Sequence, residues 1–268
     1  LKINFPFVIL ILLLFSAILS AVLYPNDLVP QDINSALKAS SWSHILGFDS
    51  LGRDYFSRVL IATRISLSVS LLSTFISFVI GVTIAVGLSK SKGFQTFLAS
   101  RLVDLYQGLP SFIIVAVIMS LSHSQSLLFL SFLMGVLHWP GLARLTQAEL
   151  IKIQSEPYIE ASFSLGATNF HVFKKHLVPA CQKLWISWFC FHLPSEIMFE
   201  SSISFLGFGV QPPQVSLGVL TLEAWQYLYL KPVYMLAPAI MIFISVWSLM
   251  SLRNQTLNRK NKTSPSLT

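Results

Sequence analysis

The chain has 268 residues, of which 54% are hydrophobic and 11% charged, with a mean hydropathy of +0.68. Soluble domains carry roughly 25% charged residues, so the composition excludes an ordinary soluble domain and indicates an integral membrane protein. The net charge of +7 does not point to nucleic acid as a partner, because the basic residues lie at the ends of apolar runs, where membrane topology accounts for them.

The apolar runs are about 20 residues long and lack strand-period alternation, which predicts an all-α membrane protein in contact with lipid rather than a barrel. The first run, Ile3 to Leu23, follows Lys2. A signal-peptide core is about 7–15 residues, so this longer run is expected to be a retained span. The chain opens on Leu1, which places its true start either upstream or at an unusual start codon read literally. Five more spans are predicted at roughly Ile65–Leu88, Leu102–Leu121, Leu127–Leu145, Ala180–Leu206 and Val233–Leu252. No second domain or internal repeat stands out. The expected organisation is a first span with the start of an outer loop (1–45), a core (46–253) and a tail (254–268).

Six spans put both termini on one side. With that side cytoplasmic, Lys2, Lys90, Lys92, Arg101, Arg144, Lys152, Lys174, Lys175, Lys183, Arg253, Arg259, Lys260 and Lys262 fall inside, 13 of the 18 basic residues. Lys38, Arg53, Arg58, Arg64 and Lys231 fall outside, so the bias predicts cytoplasmic N- and C-termini. The outer segment "LGFDSLGRDYFSR" places Asp54 and Arg58 four apart, a spacing that predicts an ion pair on a short helix. Its arginines run against the positive-inside bias. The tail after Arg253 is short, basic and polar, and disorder is expected there.

Within the second span Ser66, Ser70, Ser73, Ser77, Gly81, Ala85 and Ser89 form one stripe of small residues. Such stripes let helix backbones approach closely in lipid, so close packing is the expected role and a polar passage lining the alternative. Cys181 and Cys190 read as small apolar core residues. In the fifth span His192, Glu196, Glu200 and Ser204 recur every four residues, near Pro194. Charge at mid-membrane costs at least ~2.5 kcal/mol, so these groups are expected to avoid lipid. Two readings stand: the stripe lines a passage, or Glu200 pairs with an outer-loop arginine such as Arg53 or Arg64.

Between the fourth and fifth spans, Glu156 to Pro179 is too polar to cross a bilayer. Pro157 suits a first helical turn, and a helix over Tyr158–Leu165 is predicted to stop at Gly166 in a left-handed cap. Thr168 is then the predicted N-cap of a second helix, Asn169–Val178, closed by Pro179, with Lys174, Lys175 and His176 at its negative end. From the residues alone, an amphipathic hairpin resting on lipid and a docking element for another protein are both open.

The stretch "EASFSLGATNFHVFKKHLVP" resembles the EAA loop of ABC-importer permeases, with Glu160, Ala161, Ser162, Gly166 and Pro179 at the motif positions. "LGFDSLGRDYFSRVLIATRISL", "WPGLAR" and "ESSISFLGFGVQPPQVSLG" resemble the oligopeptide/dipeptide/nickel permease family, its C-type subunit in particular. The likeness runs from about Leu46 to Gly218. Departures are Ser162 for the second Ala, Phe48 for Thr, Ala62 for Gly, and Val215 to Gly218 where Pro-Ser-Trp-Gly is common. The resemblance implies a type I importer permease fold in the cell inner membrane. It also implies a cytoplasmic coupling helix around Gly166, involving Glu160, Ala161, Thr168 and Pro179 and seated on an ATPase. The implied partners are a second permease subunit, two ATPase subunits and an extracytoplasmic binding protein. Peptides are the implied cargo, with nickel or another small solute as the family's alternative.

No G-x-x-x-x-G-K-[ST] occurs, so ATP and Mg²⁺ are expected on the partner ATPases and no cofactor in this chain. His171 and His176 stand five apart and H-E-x-x-H is absent, so no metal site and no enzymatic activity are expected. A proton-coupled secondary carrier, suggested by the acids of the fifth span, is the rival from another class, and the coupling loop argues against it.

Overall fold

The computed structural model describes residues 5–25, 27–90, 101, 103–122 and 126–261. Lys2, Ile3, Lys92, Leu102 and Lys262, used above to set spans and topology, lie outside the described residues. Among those described, ordered structure is helical throughout, apart from one isolated bridge between Phe48 and Asp54.

The helices are α1 (Phe5–Leu23), α2 (Tyr55–Lys90), α3 (Ser111–Leu121), α4 (Leu127–His138), α5 (Pro140–Gln154), α6 (Pro157–Ser164), α7 (Asn169–Val172), α8 (Val178–Phe205), α9 (Leu217–Trp225) and α10 (Pro232–Asn261). At 36 residues α2 is about 54 Å long, well beyond the ~30 Å hydrocarbon layer, and it is the axis of the bundle. It packs against α1, α4, α5 and α8, while α8 and α9 both pack on α10. The main core gathers Ile61, Ile65 and Val69 of α2 with Met119, Leu130, Met134, Ile203 and Leu220. Outward faces stay apolar, as lipid contact requires: Phe15 and Ile18 on α1 and Phe243 on α10 are more than 60% exposed.

Several boundaries differ from expectation, each for a physical reason. The second span begins ten residues early, at Tyr55, because its first turns pack on protein rather than on lipid: the Tyr55 hydroxyl donates to the Tyr234 carbonyl at 2.6 Å. Asp54 and Arg58 do not pair. Asp54 accepts from the Ser57 backbone N–H (2.8 Å) and hydroxyl (2.6 Å), the position of a helix cap. The third span is interrupted at Gly108–Pro110, since proline disfavours helix at the residue before it, leaving an 11-residue α3. The fourth bends by 44° between α4 and α5, where Pro140 opens the second piece. The backbone of α10 stays helical to Asn261, past the point where a disordered tail was expected.

By length and composition, α1, α2 and α10 are fit to cross a membrane, and the bent α4–α5 pair makes a fourth. Among the described residues the expected six are not reached on that criterion. α3 is short, and the 28-residue α8 carries Lys183, Glu196 and Glu200. Its two acids nevertheless face partners within the protein rather than lipid.

Around the N-terminal end of α2, Arg53, Arg58 and Arg64 are each neutralised by an acid of this chain. Asp49 accepts from Arg53 Nε (2.7 Å) and Arg58 Nη1 (2.9 Å). Arg58, 4% exposed, also forks onto Glu223 at 2.6 and 3.1 Å. Arg64 pairs with Asp27, which Gln214 also reaches at 3.4 Å. Segment 27–54 and the α9 region are thereby tied to the start of α2.

Candidate functional site

The hairpin between α5 and α8 sits at the C-terminal end of α2. Pro157 opens α6, as its missing N–H favours. Gly166 closes it at φ +86°, with Gly166 N–H bonded to the Phe163 carbonyl (2.9 Å) and Ala167 N–H to that of Ser162 (3.0 Å). These two bonds form a Schellman cap, which calls for a residue able to enter the left-handed region. The Thr168 hydroxyl then accepts from His171 N–H at 3.2 Å and starts α7. So the glycine stop and the threonine cap fall where the sequence put them.

The end of the hairpin does not. α7 is a single turn, followed by a π turn over Phe173–Leu177 that runs directly into α8. Pro179 lies in the first turn of α8 and does not close a helix. It has no N–H for the carbonyl four residues back and its ring crowds that carbonyl, and a π turn widens the ladder at that place. Lys174, Lys175 and His176 therefore lie inside a continuous helical rod, not at a C-terminus.

Ile159, Val172 and Leu177 anchor the hairpin in a small core with Ala85, Leu150, Ile153 and Cys181. Beside it a cavity of about 440 Å³ is lined by Val86, Ser89, Phe163, Asn169 and Phe173 among others. Glu160, Ala161, Gly166, Thr168 and Pro179 are all exposed. The tip is apolar as well as exposed: Leu165 is 89% and Phe170 73% accessible. A Cβ on Gly166 would meet nothing within 4 Å in this chain. The geometry thus offers a stiff, preformed surface for another body.

The small stripe of α2 is buried, with Ser66, Ser70, Ser73, Ser77 and Ala85 all at 0% exposure. Its hydroxyls do more than permit close packing. Ser66 donates to Glu200 Oε2 (2.8 Å), Ser73 to Glu196 Oε2 (2.7 Å) and Ser77 to the Gly135 carbonyl (2.9 Å). Glu200 also accepts from Ser204 at 2.7 Å and is fully buried; Arg53 and Arg64 are engaged elsewhere, so the expected arginine pairing is not found. Glu196 is 1% exposed, and its Oε1 lies 2.5 Å from His138 Nδ1 and 2.9 Å from His192 Nε2. The His192 contact is too poorly aligned for a hydrogen bond. His192 stacks on Trp188 with ring centroids 4.3 Å apart. His192 and Glu196 thus share a face with Glu200, and both acids point into the bundle of this chain.

Residues 77–260 match the family described as the binding-protein-dependent transport system inner membrane component. The chain belongs to this family. Among curated relatives of this transport component is the dipeptide transport system permease protein DppC of Bacillus subtilis (strain 168). It is 33% identical over 213 residues, covering 79% of this chain and 66% of the relative. The chain thus spans just under two thirds of that relative. The glutathione transport system permease proteins GsiD of Pectobacterium atrosepticum and Escherichia coli O1:K1 are 28% and 29% identical, covering 80% and 88% of this chain and 71% and 78% of theirs. A chain of the inward-facing MetNI methionine ABC transporter, in its native crystal form, superposes with a TM-score of 0.57 at 20% identity. That overlap covers 73% of this chain and 92% of the other, and it shows a shared type I importer permease fold.

Two parts of this inner-membrane component escaped sequence reasoning. His138 ends α4 and reaches Glu196 from across the bundle; a lone histidine closing an apolar run was its only signal. Glu223 neutralises Arg58 from 165 residues away, a separation at which no local spacing rule operates.

Proposed function

We propose that this chain is one permease subunit of an ATP-driven importer that moves short peptides inward across the inner membrane. The observation that carries the reading is the hairpin 156–179: preformed, capped at Gly166, and presenting Leu165 and Phe170 at an exposed tip. A resting place in the headgroup region would not call for such backbone rigidity, whereas a groove on an ATPase would. Peptide cargo is supported by the dipeptide and glutathione relatives. The subunit pairs with a second permease, stands on two ATPases and receives cargo from an extracytoplasmic binding protein. ATP and Mg²⁺ bind on the ATPases, because this chain has no phosphate-binding loop.

In this reading both termini and the hairpin are cytoplasmic, and the Arg58–Asp49–Glu223 cluster faces out. Glu160, Ala161, Gly166 and Thr168 form the docking surface, and Pro179 begins the rod leading from it into α8. Glu200, bound by hydroxyls of this chain alone, ties α2 to α8. His192 and Glu196 are the groups of the stripe nearest a passage.

The test uses a cysteine at position 168 in a background without Cys181 and Cys190. An impermeant thiol reagent should label it only in inside-out vesicles, and the complex purified from native membranes should bring ATPase chains with it. Labelling from outside, or purification of this chain alone, would overturn the reading.

A further inference from the structure

We propose that His138, His192 and Glu196 form a binding site for one zinc-like divalent cation that joins α4 to α8. The three side chains bring ligand atoms from two elements to within 4.8 Å of one another. His192 and Glu196 stand four apart on α8, one face of one helix, and His138 completes the set from the last turn of α4.

Charge is the first argument. Glu196 is buried in an apolar bundle, and among the described residues its ion-pair partners are the two imidazoles, with no lysine or arginine. A buried carboxylate needs either several donors, as Glu200 has in Ser66 and Ser204, or a compensating positive charge, and Glu196 has the Ser73 hydroxyl and otherwise faces the two imidazoles. A dication held by two imidazoles and one carboxylate supplies that charge.

Hydrogen bonding is the second. His138 Nδ1 lies 2.5 Å from Glu196 Oε1 and its Nε2 3.3 Å from the Ser111 hydroxyl, so an N–H moved to Nε2 would find an acceptor there and free Nδ1 for a metal. His192 Nε2 is shielded from solvent, faces the same oxygen and makes no hydrogen bond among the described residues. Two nitrogens and one carboxylate oxygen thus converge, and of the three His192 Nε2 is left without a hydrogen bond. A cation between them would satisfy all three.

The surroundings fit such a site. Ser111 on His138 and Ser73 on the second oxygen of Glu196 are the outer hydrogen bonds that fix ligand orientation. Two His and one Glu is a known zinc ligand set that leaves a fourth position for water or another ligand. A cavity of about 210 Å³, lined by Tyr106, Gln107, Ser111, His138 and His192, lies against the histidines and offers both that position and a way in. Nitrogen and carboxylate donors without a thiolate favour zinc, nickel or copper over magnesium or calcium.

The assembled transporter, purified in lipid discs and stripped with EDTA, would be dialysed against ZnCl₂ and its metal counted. One zinc per copy of this chain is expected. Affinity should fall at least tenfold in His138→Gln and in His192→Gln, and should be unchanged in the Cys181→Ser/Cys190→Ser double variant. X-ray absorption of the wild-type zinc complex keeps the proposal falsifiable if a histidine variant fails to assemble: it should show nitrogen and oxygen ligands only, at about 2.0–2.1 Å, with the scattering of two imidazoles. The proposal is overturned if the wild type retains no zinc, if binding survives both histidine substitutions unchanged, or if the ligand shell contains sulfur.

Discussion

Replacing Gly166 separates what the backbone requires from what a partner requires. Its φ of +86° costs a residue with a Cβ about 1–2 kcal/mol, whereas the space around that Cβ is empty within this chain. Gly166→Ala should therefore reduce the population of the native cap roughly 5- to 30-fold relative to its alternatives. The anchors Ile159, Val172 and Leu177 lie away from the turn, so the amount of assembled complex should not change. Gly166→Leu carries a similar backbone cost, because it too is unbranched at Cβ. Any loss beyond that of alanine then reports a surface brought by another protein. Gly166→Asn should lose least, since asparagine enters the left-handed region more readily. The assay is ATP-driven peptide uptake in proteoliposomes set beside ATP hydrolysis by the same preparation. Uptake should fall several-fold in the alanine variant and further in the leucine variant while hydrolysis continues. Equal, wild-type uptake in all three variants would refute the assignment of this turn to coupling.

Two further substitutions probe the bundle. Arg58→Ala removes the cation shared by Asp49, which keeps Arg53, and the partly exposed Glu223, and should destabilise the protein by about 1–3 kcal/mol, read as a lower melting temperature; Arg58→Lys should rescue only part, because it lacks the fork that engages both acids. A Cβ at Gly218 would fall 2.3 Å from the Ser201 carbonyl oxygen and 2.6 Å from Ser204 Cβ, so Gly218→Ala should cost about 1–3 kcal/mol and lower the yield of folded protein. The contrast with Gly166→Ala, which should leave the yield alone, checks both arguments.

The sequence made legible those features that depend on neighbours in the chain. The Gly166 cap, the Thr168 cap and the close packing of the α2 stripe follow from local chemistry and helical spacing, and the structure has all three. It made less legible those features that depend on the fold. Asp54 and Arg58 had the right spacing to pair, yet Asp49 and Glu223 hold Arg58 more tightly from elsewhere. Glu200 seemed to need a cation, yet hydroxyls on α2 and α8 satisfy it, and only the packed bundle brings Ser66 within reach. Pro179 misled for a different reason. A proline near a helix end signals a stop or a first turn equally well, and the π turn before it decides which.

That π turn has a mechanical consequence. Because Phe173–Leu177 joins α7 to α8 without a break, force applied to the hairpin passes along a rod rather than across a loop. From α8 it reaches α2 through the Ser73–Glu196 and Ser66–Glu200 hydrogen bonds, about one turn apart on α8 and two on α2, which resist sliding of one helix past the other. Softening the rod should therefore uncouple the machine even where every contact to a partner remains. Lys174 and Lys175 are exposed within the π turn, and replacing both by glycine costs roughly 1 kcal/mol each in helix stability while adding backbone freedom. Replacing both by alanine removes the same charges and stiffens the helix instead. Peptide uptake per ATP hydrolysed should fall in the glycine pair and stay near the wild-type value in the alanine pair, with assembly equal in both. An alanine pair as defective as the glycine pair would assign the effect to the lysine charges and remove the rod from the mechanism.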